Sequence, residues 1–227
     1  SSGINDPDNI STVRDIALMS KYLIKNYPNY YELFAEKIFT WDRTGGEPIK
    51  QGNRNPLLYK NVGVDGVKTG YLAVEKYSLA STMKKKDRRI IAVASGFNTK
   101  NLRSSESLKL LLWGFRNTNT FENSKKNETT FELDAWLGTT SKIKAVTKED
   151  YYLTINKKDI SHLTISLEYN GPILAPVLKG SQIATIVVSN KNEKIKSLPL
   201  YASENLKKVN FFKSLLTSLN YLIWGDV

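Results

Sequence analysis

The stretch Val64–Tyr71, with the sequence Val-Asp-Gly-Val-Lys-Thr-Gly-Tyr, constrains the fold of this chain more than any other. Val64 and Val67 are β-branched and favour an extended backbone. Gly66 and Gly70 carry no side chain, which would leave room for the backbone of a ligand against the strand. We therefore predict a β-strand here that borders a binding site.

Lys68 and Thr69 lie in the middle of this predicted strand. Successive side chains of a regular strand point to opposite faces, so a site that uses both residues must lie at the edge or the end of the strand. An ammonium group, a hydroxyl group and accessible backbone amides together suit an anionic or carbonyl-bearing ligand. The isolated triplet Lys-Thr-Gly is also compatible with an ordinary strand end.

The residues after this strand predict a β-hairpin. Tyr77–Met83 and Arg89–Gly96 are strand-like, and Lys84–Arg88 supplies a solvated tip. Ile90–Ala94 is a continuous apolar run, which is typical of a central strand covered on both faces. The first half of the chain is thus expected to contain an antiparallel sheet.

A helix is predicted before the sheet. Ser11 or Thr12 would cap it, and it would run to about Tyr27, where Pro28 stops it. Asp15 falls in its first turn, where a carboxylate complements the helix dipole. We interpret Asp15 as a capping residue, with a functional role as the alternative.

A second helix is predicted after a polar loop that covers residues 98–103. Ser104 or Ser105 would cap this helix, and apolar residues then recur at helical spacing as far as Phe115. Arg103 would therefore lie just before the cap.

The second half of the chain has a different character. Residues 118–130 are rich in Asn, Thr, Lys and Ser and predict a linker. Short strand-like segments alternate with turns from there to residue 202, which predicts a small antiparallel β-sandwich or barrel. The predicted strands are Phe131–Trp136, Ile143–Val146, Tyr151–Ile155, Leu163–Glu168, Ile183–Ser189 and Ser197–Tyr201.

Residues 206–224 have the pattern of an amphipathic helix. Apolar residues recur at helical spacing, and polar and basic residues occupy the other side. The segment is too polar to cross a bilayer but is suited to lie along one, and Tyr221 and Trp224 are residue types that settle at membrane interfaces. A helix that packs on its own protein is the alternative. The terminal position, the Phe211–Phe212 pair and the basic flank favour membrane contact.

The composition excludes several kinds of site. The chain has 33 Lys+Arg against 22 Asp+Glu and a formal charge of +11. Such a charge attracts polyanions, and a solvated basic surface is the alternative interpretation. There is no cysteine and one histidine, His162. This excludes disulfides, cysteine nucleophiles and histidine-rich metal sites, and we expect no metal and no cofactor.

Several segments occur in an order that is typical of one enzyme family. They are Ser11–Leu18, Asn53–Leu58, Val64–Gly70, Arg103–Ser107 and Leu112–Phe115. Taken together, they resemble the low-molecular-mass penicillin-binding proteins that act as D-alanyl-D-alanine carboxypeptidases. In that family K-T-G is the third signature, after S-x-x-K and a serine-containing second motif. The resemblance covers nearly the whole chain.

The chain departs from the family pattern at the nucleophile. S-x-x-K and S-x-N should precede Lys68, but their look-alikes occur only after it, at Ser81–Lys84, Ser141–Lys144, Ser203–Asn205 and Ser218–Asn220. The chemistry needs Ser and Lys one helical turn apart on one face, so that the amine can take the hydroxyl proton. We reject all of these segments. The chain is expected to be the C-terminal part of such an enzyme, without its nucleophile.

The resemblance implies catalytic and binding roles for the residues around the triplet. Lys68 would supply positive charge and a proton-relay contact. Thr69, next to Gly70, would donate a hydrogen bond to the carboxylate of a terminal D-alanine. The backbone N–H of Tyr71 would form half of an oxyanion hole.

The resemblance also implies roles for two arginines. Arg103 would approach the carboxylate of the substrate, which a guanidinium fork fits well, and Arg54 would lie beside the groove. The alternatives are a surface arginine for Arg103 and an exposed loop cation for Arg54.

The predicted architecture has three parts. Residues 1–117 would be the C-terminal portion of an α/β (α+β) penicillin-binding domain, with an antiparallel sheet and flanking helices. Residues 118–203 would form a small β-sandwich domain, and residues 204–227 a membrane-association helix.

The implied function is that of a serine-type D-Ala-D-Ala carboxypeptidase that acts on peptidoglycan pentapeptide stems through an acyl-enzyme. Such a protein would bind β-lactams and would be periplasmic, attached peripherally to the inner membrane. This chain by itself is expected to be inactive. The alternative is a non-catalytic, membrane-anchored module that interacts with the cell wall. Nucleic-acid binding is not expected, because the basic residues are not accompanied by an aromatic RNA-type signature.

Overall fold

The computed structural model describes residues 6, 8, 10–191 and 193–225, apart from the side chains of Asn123 and Trp224. The chain divides into two units, Ser1–Thr118 and Asn119–Val227. The first contains helices and antiparallel strands, and the second consists mostly of strands with a helix near its end. The predicted fold class is confirmed.

Helix α1 (Val13–Asn26) begins with a reciprocal cap. The Thr12 Oγ1 accepts a hydrogen bond from the Asp15 backbone N–H at 3.1 Å, and the Asp15 carboxylate accepts one from the Thr12 backbone N–H at 3.1 Å. This arrangement satisfies two of the N–H groups that a helix start leaves open. The capping role predicted for Asp15 is confirmed.

The remaining elements of the first unit follow in a simple order. They are α2 (Pro28–Tyr31), a 3₁₀ helix (Glu32–Ala35), β1 (Ile38–Trp41), β2 (Ile49–Gly52), a 3₁₀ helix (Pro56–Lys60), β3 (Val64–Leu72), β4 (Lys76–Lys85), β5 (Arg88–Phe97) and α3 (Lys100–Asn117). Strands β1 and β2 form an antiparallel pair, and the apolar core consists of Leu57, Leu79, Met83, Ala92 and Leu111.

Strands β3, β4 and β5 form one antiparallel sheet in that order, so β4 is central and β5 lies at an edge among the described residues. Ile90–Ala94 is predicted as a central strand, whereas β4 takes that place among the described residues. The apolar run is explained in part by helix packing. A Cβ on Gly114 of α3 would lie 2.8 Å from the Cδ1 of Ile90. The glycine thus allows α3 to lie close against β5.

Helix α3 starts earlier than predicted. Its N-cap is Thr99, whose hydroxyl accepts a hydrogen bond from the Leu102 N–H at 3.1 Å. The Ser105 hydroxyl instead donates to the Leu102 carbonyl at 3.3 Å, within the helix. The predicted cap at Ser104 or Ser105 is wrong, and Arg103 belongs to the first turns of the helix.

A cluster of polar side chains joins β3 to its neighbours. Arg89 donates two parallel hydrogen bonds to Asp65, at 2.7 Å to Oδ1 and 2.6 Å to Oδ2. Thr82 and Tyr31 also donate to Asp65 Oδ1, at 2.5 Å and 2.9 Å. Charge-assisted hydrogen bonds of this forked kind are the strong ones in proteins. The cluster therefore holds the start of β3 against β4, β5 and α2.

The cluster shifts the pKa of its members. Burial tends to raise the pKa of Asp65, but the hydrogen bonds from Arg89, Thr82 and Tyr31 outweigh it and hold that pKa below its usual value. Burial raises the pKa of Tyr31 to about 12. Asp65 is therefore charged and Tyr31 neutral at physiological pH.

The second unit contains one large sheet and one small sheet. Its elements are β6 (Thr118–Ser124), β7 (Thr129–Trp136), β8 (Lys142–Val146), β9 (Tyr151–Asn156), a 3₁₀ helix (Lys157–His162), β10 (Leu163–Glu168), β11 (Ile173–Leu174), β12 (Gln182–Asn190), β13 (Glu193–Ala202) and α4 (Phe211–Trp224). The strand orders are β10-β12-β13-β8-β7-β11 and β6-β9, and β11 pairs with β7 in parallel. One hydrophobic core includes residues of both sheets, with Leu133, Ile143, Leu153, Ile186 and Leu200 among its buried members.

The predicted linker at residues 118–130 is wrong, because β6 occupies its first part. Its hydroxyl side chains find partners in the same unit. The Thr120 and Thr154 hydroxyls lie 2.9 Å apart, and those of Ser124 and Thr147 lie 2.7 Å apart. Threonine is β-branched and suits a strand when its hydroxyl is paired in this way.

The C-terminal helix α4 begins at Phe211, later than predicted, after the N-cap Asn210. Leu206, expected at the start of the helix, is instead buried in the core of the second unit. Every helix in the described part of the chain is too short or too polar to pass through a bilayer.

Replacement of Asp65 by Asn tests the polar cluster. The variant leaves Arg89 without its charged partner. The side chains of Arg89 and Asp65 are only 23% and 28% exposed. We expect the free energy of unfolding to fall by about 3 kcal/mol, the low end for a buried pair. Urea unfolding of both proteins measures this. As a control, Glu106→Gln removes the exposed Lys109–Glu106 pair and should cost at most about 0.5 kcal/mol. Equal effects of the two substitutions would contradict the role of the cluster.

The same cluster predicts a pH dependence of stability. The pKa of Asp65 is lower in the folded state than in the unfolded state. Its contribution to the stability of the fold is therefore complete above the unfolded-state pKa of about 3.9, and it is lost as the pH falls towards the folded-state pKa. Below about pH 4, the wild type should therefore lose stability more steeply than Asp65→Asn. Urea unfolding of both proteins over a series of acidic pH values checks this. Parallel curves would show that Asp65 is not the group responsible.

Candidate active site

A groove of about 1510 Å³ runs along the end of β3 in the first unit. All of the predicted site residues line it. They are Arg54, Lys68, Thr69, Gly70, Tyr71 and Arg103. We call this feature the β3 groove.

Strand β3 pairs with β4 along one side, with Lys68 opposite Ala80 and Thr69 opposite Leu79. Among the described residues, no strand pairs with the other side of β3. Backbone donors and acceptors on such an edge are available to an extended ligand. Lys68 and Thr69 thus reach one groove from adjacent positions at a strand edge.

The ammonium group of Lys68 is exposed and donates to the backbone carbonyl of Thr69 at 2.8 Å. In the described residues it forms no ion pair with a carboxylate. Its charge is therefore available to a ligand in the β3 groove.

The two glycines of β3 have different neighbours. A Cβ on Gly70 would collide with the Ser78 hydroxyl of β4. A Cβ on Gly66 would lie 2.6 Å from the Tyr31 hydroxyl. Gly66 was expected to leave room for a ligand, but it leaves room for Tyr31 of the polar cluster. Gly70 is the glycine that borders the groove.

Arg103 reaches the groove from α3. Its side chain is buried, with 7% of the residue exposed, and its Nε lacks a hydrogen-bond partner. Burial lowers its pKa, and the electrostatic interaction with the nearby Tyr77 opposes that effect. A surface arginine was the alternative for this position, and burial excludes it.

Arg54 is exposed on the loop before the second 3₁₀ helix. The following residue, Asn55, is 1% exposed and fixes this loop. The Asn55 amide donates to the Gly66 carbonyl of β3 at 3.1 Å, and its oxygen accepts from the Leu57 N–H at 3.1 Å. Sequence reasoning missed Asn55, although an Asn directly before a Pro is typical of a helix cap.

The charge in the β3 groove is mainly positive. The basic residues that line it are Arg54, Lys68, Lys76, Lys100 and Arg103, and the acidic ones are Asp6 and Glu75. A groove lined mostly by one sign of charge attracts ligands of the other sign. The lining therefore suits an anionic ligand such as a carboxylate.

The described groove contains serines but no activated one. Ser11, Ser78 and Ser95 line it, and none of them shares a hydrogen bond with a lysine amine in the described residues. Ser81, one of the rejected look-alikes, is fully buried and donates to the Ala92 carbonyl at 3.1 Å. The described residues also contain no cluster of His, Cys, Asp and Glu that could hold a metal ion.

Comparison with known proteins relates both units to one group of enzymes. Residues 1–99 match the family described as D-alanyl-D-alanine carboxypeptidase. Residues 119–208 match the penicillin-binding protein 5, C-terminal domain.

Individual relatives agree with these matches. D-alanyl-D-alanine carboxypeptidase DacC of Escherichia coli (strain K12) is 36% identical over 212 residues, which are 92% of this chain and 52% of the relative. D-alanyl-D-alanine carboxypeptidase DacA of Haemophilus influenzae is 33% identical over 216 residues, which are 94% of this chain and 54% of the relative. The chain thus spans about half the length of these curated relatives.

A solved structure of penicillin binding protein 5 from Haemophilus influenzae superimposes with a TM-score of 0.82 at 32% identity, and the match covers 91% of this chain and 59% of that one. Sequence and fold agree: the chain belongs to the D-alanyl-D-alanine carboxypeptidase family of penicillin-binding proteins.

Proposed function

We propose that the first unit forms one wall of the active site of a serine-type D-Ala-D-Ala carboxypeptidase, which acts on the pentapeptide stems of peptidoglycan. The attacking serine and its lysine would belong to a part of the protein that this chain does not include. The observation that carries the proposal is the β3 groove. Lys68 and Thr69 line it from a strand edge that no other described strand covers, and the buried residue Arg103 lines it from α3.

In the proposed reaction, the serine oxygen attacks the carbonyl carbon between the two D-alanines, and its proton passes to the lysine base. The C–N bond then breaks, the proton goes to the leaving amine, and the last D-alanine departs. Water hydrolyses the serine ester and releases the shortened stem. A β-lactam would acylate the same serine.

The residues of this chain would bind and polarise the substrate. Thr69 would donate to the terminal carboxylate, and Arg103 would neutralise its charge with a fork of N–H donors. Lys68 would stabilise negative charge and relay a proton near the serine. The Tyr71 N–H would contribute to an oxyanion hole, an effect of about 3 kcal/mol. Arg54 would add positive charge at the rim.

A labelled penicillin tests this proposal on the complete protein. We expect covalent labelling of the wild type and a loss of at least about a hundredfold in acylation rate in Lys68→Ala, since Lys68 would act on the transition state. Lys50→Ala removes an exposed lysine of β2, away from the groove, and should leave the rate unchanged.

Absence of labelling under conditions that label another penicillin-binding protein would overturn the enzyme proposal. If the protein then still bound isolated cell walls, the non-catalytic wall-interaction module would be favoured instead.

We also propose that α4 attaches the protein to a membrane surface, which would be the periplasmic face of the inner membrane. Large apolar side chains of α4 are exposed, among them Phe211, Phe212, Leu216 and Leu222. Tyr221 packs on Trp136 with ring centroids 5.1 Å apart, so one side of the helix contacts its own unit. The exposed apolar residues and Lys213 give the helix the character of an interfacial segment.

Sedimentation with vesicles that contain phosphatidylglycerol measures this attachment. Leu216→Glu should weaken vesicle binding by at least about tenfold, because burial of a leucine side chain is worth about 1.5–3 kcal/mol. Leu178→Glu changes a residue of the second unit that is similarly exposed, at 72% against 66%, but lies outside α4, and should bind as the wild type does. Equal binding of all three proteins would contradict a membrane role for α4.

A further inference from the structure

Arg103 has an unusual environment for a buried cation. Its Nε is buried and lacks a hydrogen-bond partner, and its guanidinium forms no ion pair with a carboxylate of the described residues. A buried charge without a partner is costly. The group that lies over it is the ring of Tyr77, whose centroid is 5.6 Å from the Arg103 Cζ. This is within the range of a cation–π interaction.

The ring of Tyr77 is itself held in place. Tyr77 lies near the start of β4, opposite Tyr71 of β3 and Phe97 of β5 in the strand register. The rings of Tyr71 and Tyr77 are 4.6 Å apart between centroids. Such aromatic pairs across strands stabilise a sheet and restrict ring motion.

A second contact ties the two elements that carry Tyr77 and Arg103. Lys76, the first residue of β4, donates from Nζ to the Asn98 side-chain oxygen at 2.7 Å. Asn98 directly precedes Thr99, the N-cap of α3. This hydrogen bond therefore connects the start of β4 to the start of α3 beside the β3 groove. Tyr77 and Arg103 are thus carried by two segments that are linked to each other.

A ring and a carboxylate would hold an arginine with different consequences. A carboxylate partner would accept the N–H donors of the guanidinium and compete with an anionic ligand. The face of an aromatic ring attracts the cation but does not accept hydrogen bonds from the N–H groups, which point outward in the plane of the guanidinium. An arginine held by a ring can therefore keep its fork of donors for a ligand.

We propose that Tyr77 is a positioning residue, whose ring holds the Arg103 guanidinium at the β3 groove and leaves its N–H donors for the carboxylate of the ligand. This inference rests on the proposed function in that it takes a carboxylate-bearing ligand to bind beside Thr69. Tyr77 acts through Arg103 and does not contact the reacting atoms.

The acylation rate of the complete protein by a labelled penicillin, which carries a carboxylate, is one measure of this role. Tyr77→Leu should lower the rate about tenfold, because the cation–π contact is lost. Tyr77→Phe keeps the ring and should stay within about threefold of the wild type. If Tyr77 only filled space, the rate would not depend on the ring, and Leu would be tolerated as well as Phe.

A double-mutant cycle separates positioning from an independent effect. In an Arg103→Met background, Tyr77→Leu should cause no further loss, because the residue through which it acts is gone. Tyr201→Leu is a matched control, since Lys148 lies over the Tyr201 ring at 3.7 Å in the second unit. It should leave the acylation rate unchanged. Multiplicative effects of Tyr77→Leu and Arg103→Met would overturn the proposal.

A readout that does not depend on activity distinguishes this inference from the proposed function. The NMR resonance of the Arg103 Nε–H should show an aromatic ring-current shift in the wild type and in Tyr77→Phe, and lose it in Tyr77→Leu. An unchanged resonance in Tyr77→Leu would overturn the positioning role even if penicillin labels the protein. Failure of the wild type to react with penicillin would overturn the proposed function instead, and the ring-current comparison would still decide the role of Tyr77.

Discussion

The forked contact between Arg89 and Asp65 is the interaction on which the first unit depends most. It joins β3 to β5, and through Thr82 and Tyr31 the same carboxylate also binds β4 and α2. Partly buried charges of this kind are costly unless every lone pair and proton finds a partner. Here Thr82 and Tyr31 complete the set of donors to the carboxylate. The start of β3, the strand that borders the β3 groove, is therefore held in a fixed position.

Two further contacts fix the part of β3 that leads to the groove. Asn55 bonds to the Gly66 carbonyl, directly after Asp65, and so fixes the loop that bears Arg54. Gly66 in turn makes room for Tyr31. Lys68, Thr69 and Arg103 are thus carried by a strand and a helix, and Arg54 by a loop that Asn55 anchors, which is an arrangement that holds polar groups at defined distances. The basic residues of the groove are consequently presented on a firm frame.

Local patterns predicted much of this structure. A cap at Ser11 or Thr12, the hairpin that begins at Tyr77 and most strands of the second unit follow from spacing and turn residues, which act over a few positions. The Lys-Thr-Gly strand was placed at an edge because Lys68 and Thr69 cannot share a face of a regular strand. These features need no information about distant residues.

The errors concern features that depend on partners far along the chain. The segment after Thr118 has the composition of a linker, but its hydroxyls pair with Thr154 and Thr147, which sequence spacing does not reveal. The position of β5 depends on which strands lie beside it, and its apolar run is equally compatible with helix packing. The start of α3 was misjudged because Thr99, Ser104 and Ser105 all have a capping hydroxyl. The burial of Arg103 follows from that earlier start, and composition favours exposed arginines.

The contact between Gly114 and Ile90 has a consequence for how the family can vary. Because a Cβ at position 114 would meet the end of the Ile90 side chain, the volumes at these two positions are coupled. An alanine at 114 is compatible with a shorter residue such as valine at 90, whereas either change alone leaves a clash or a void. These two sites should therefore covary among homologous sequences. That covariation would keep α3, which bears Arg103, equally close to β5.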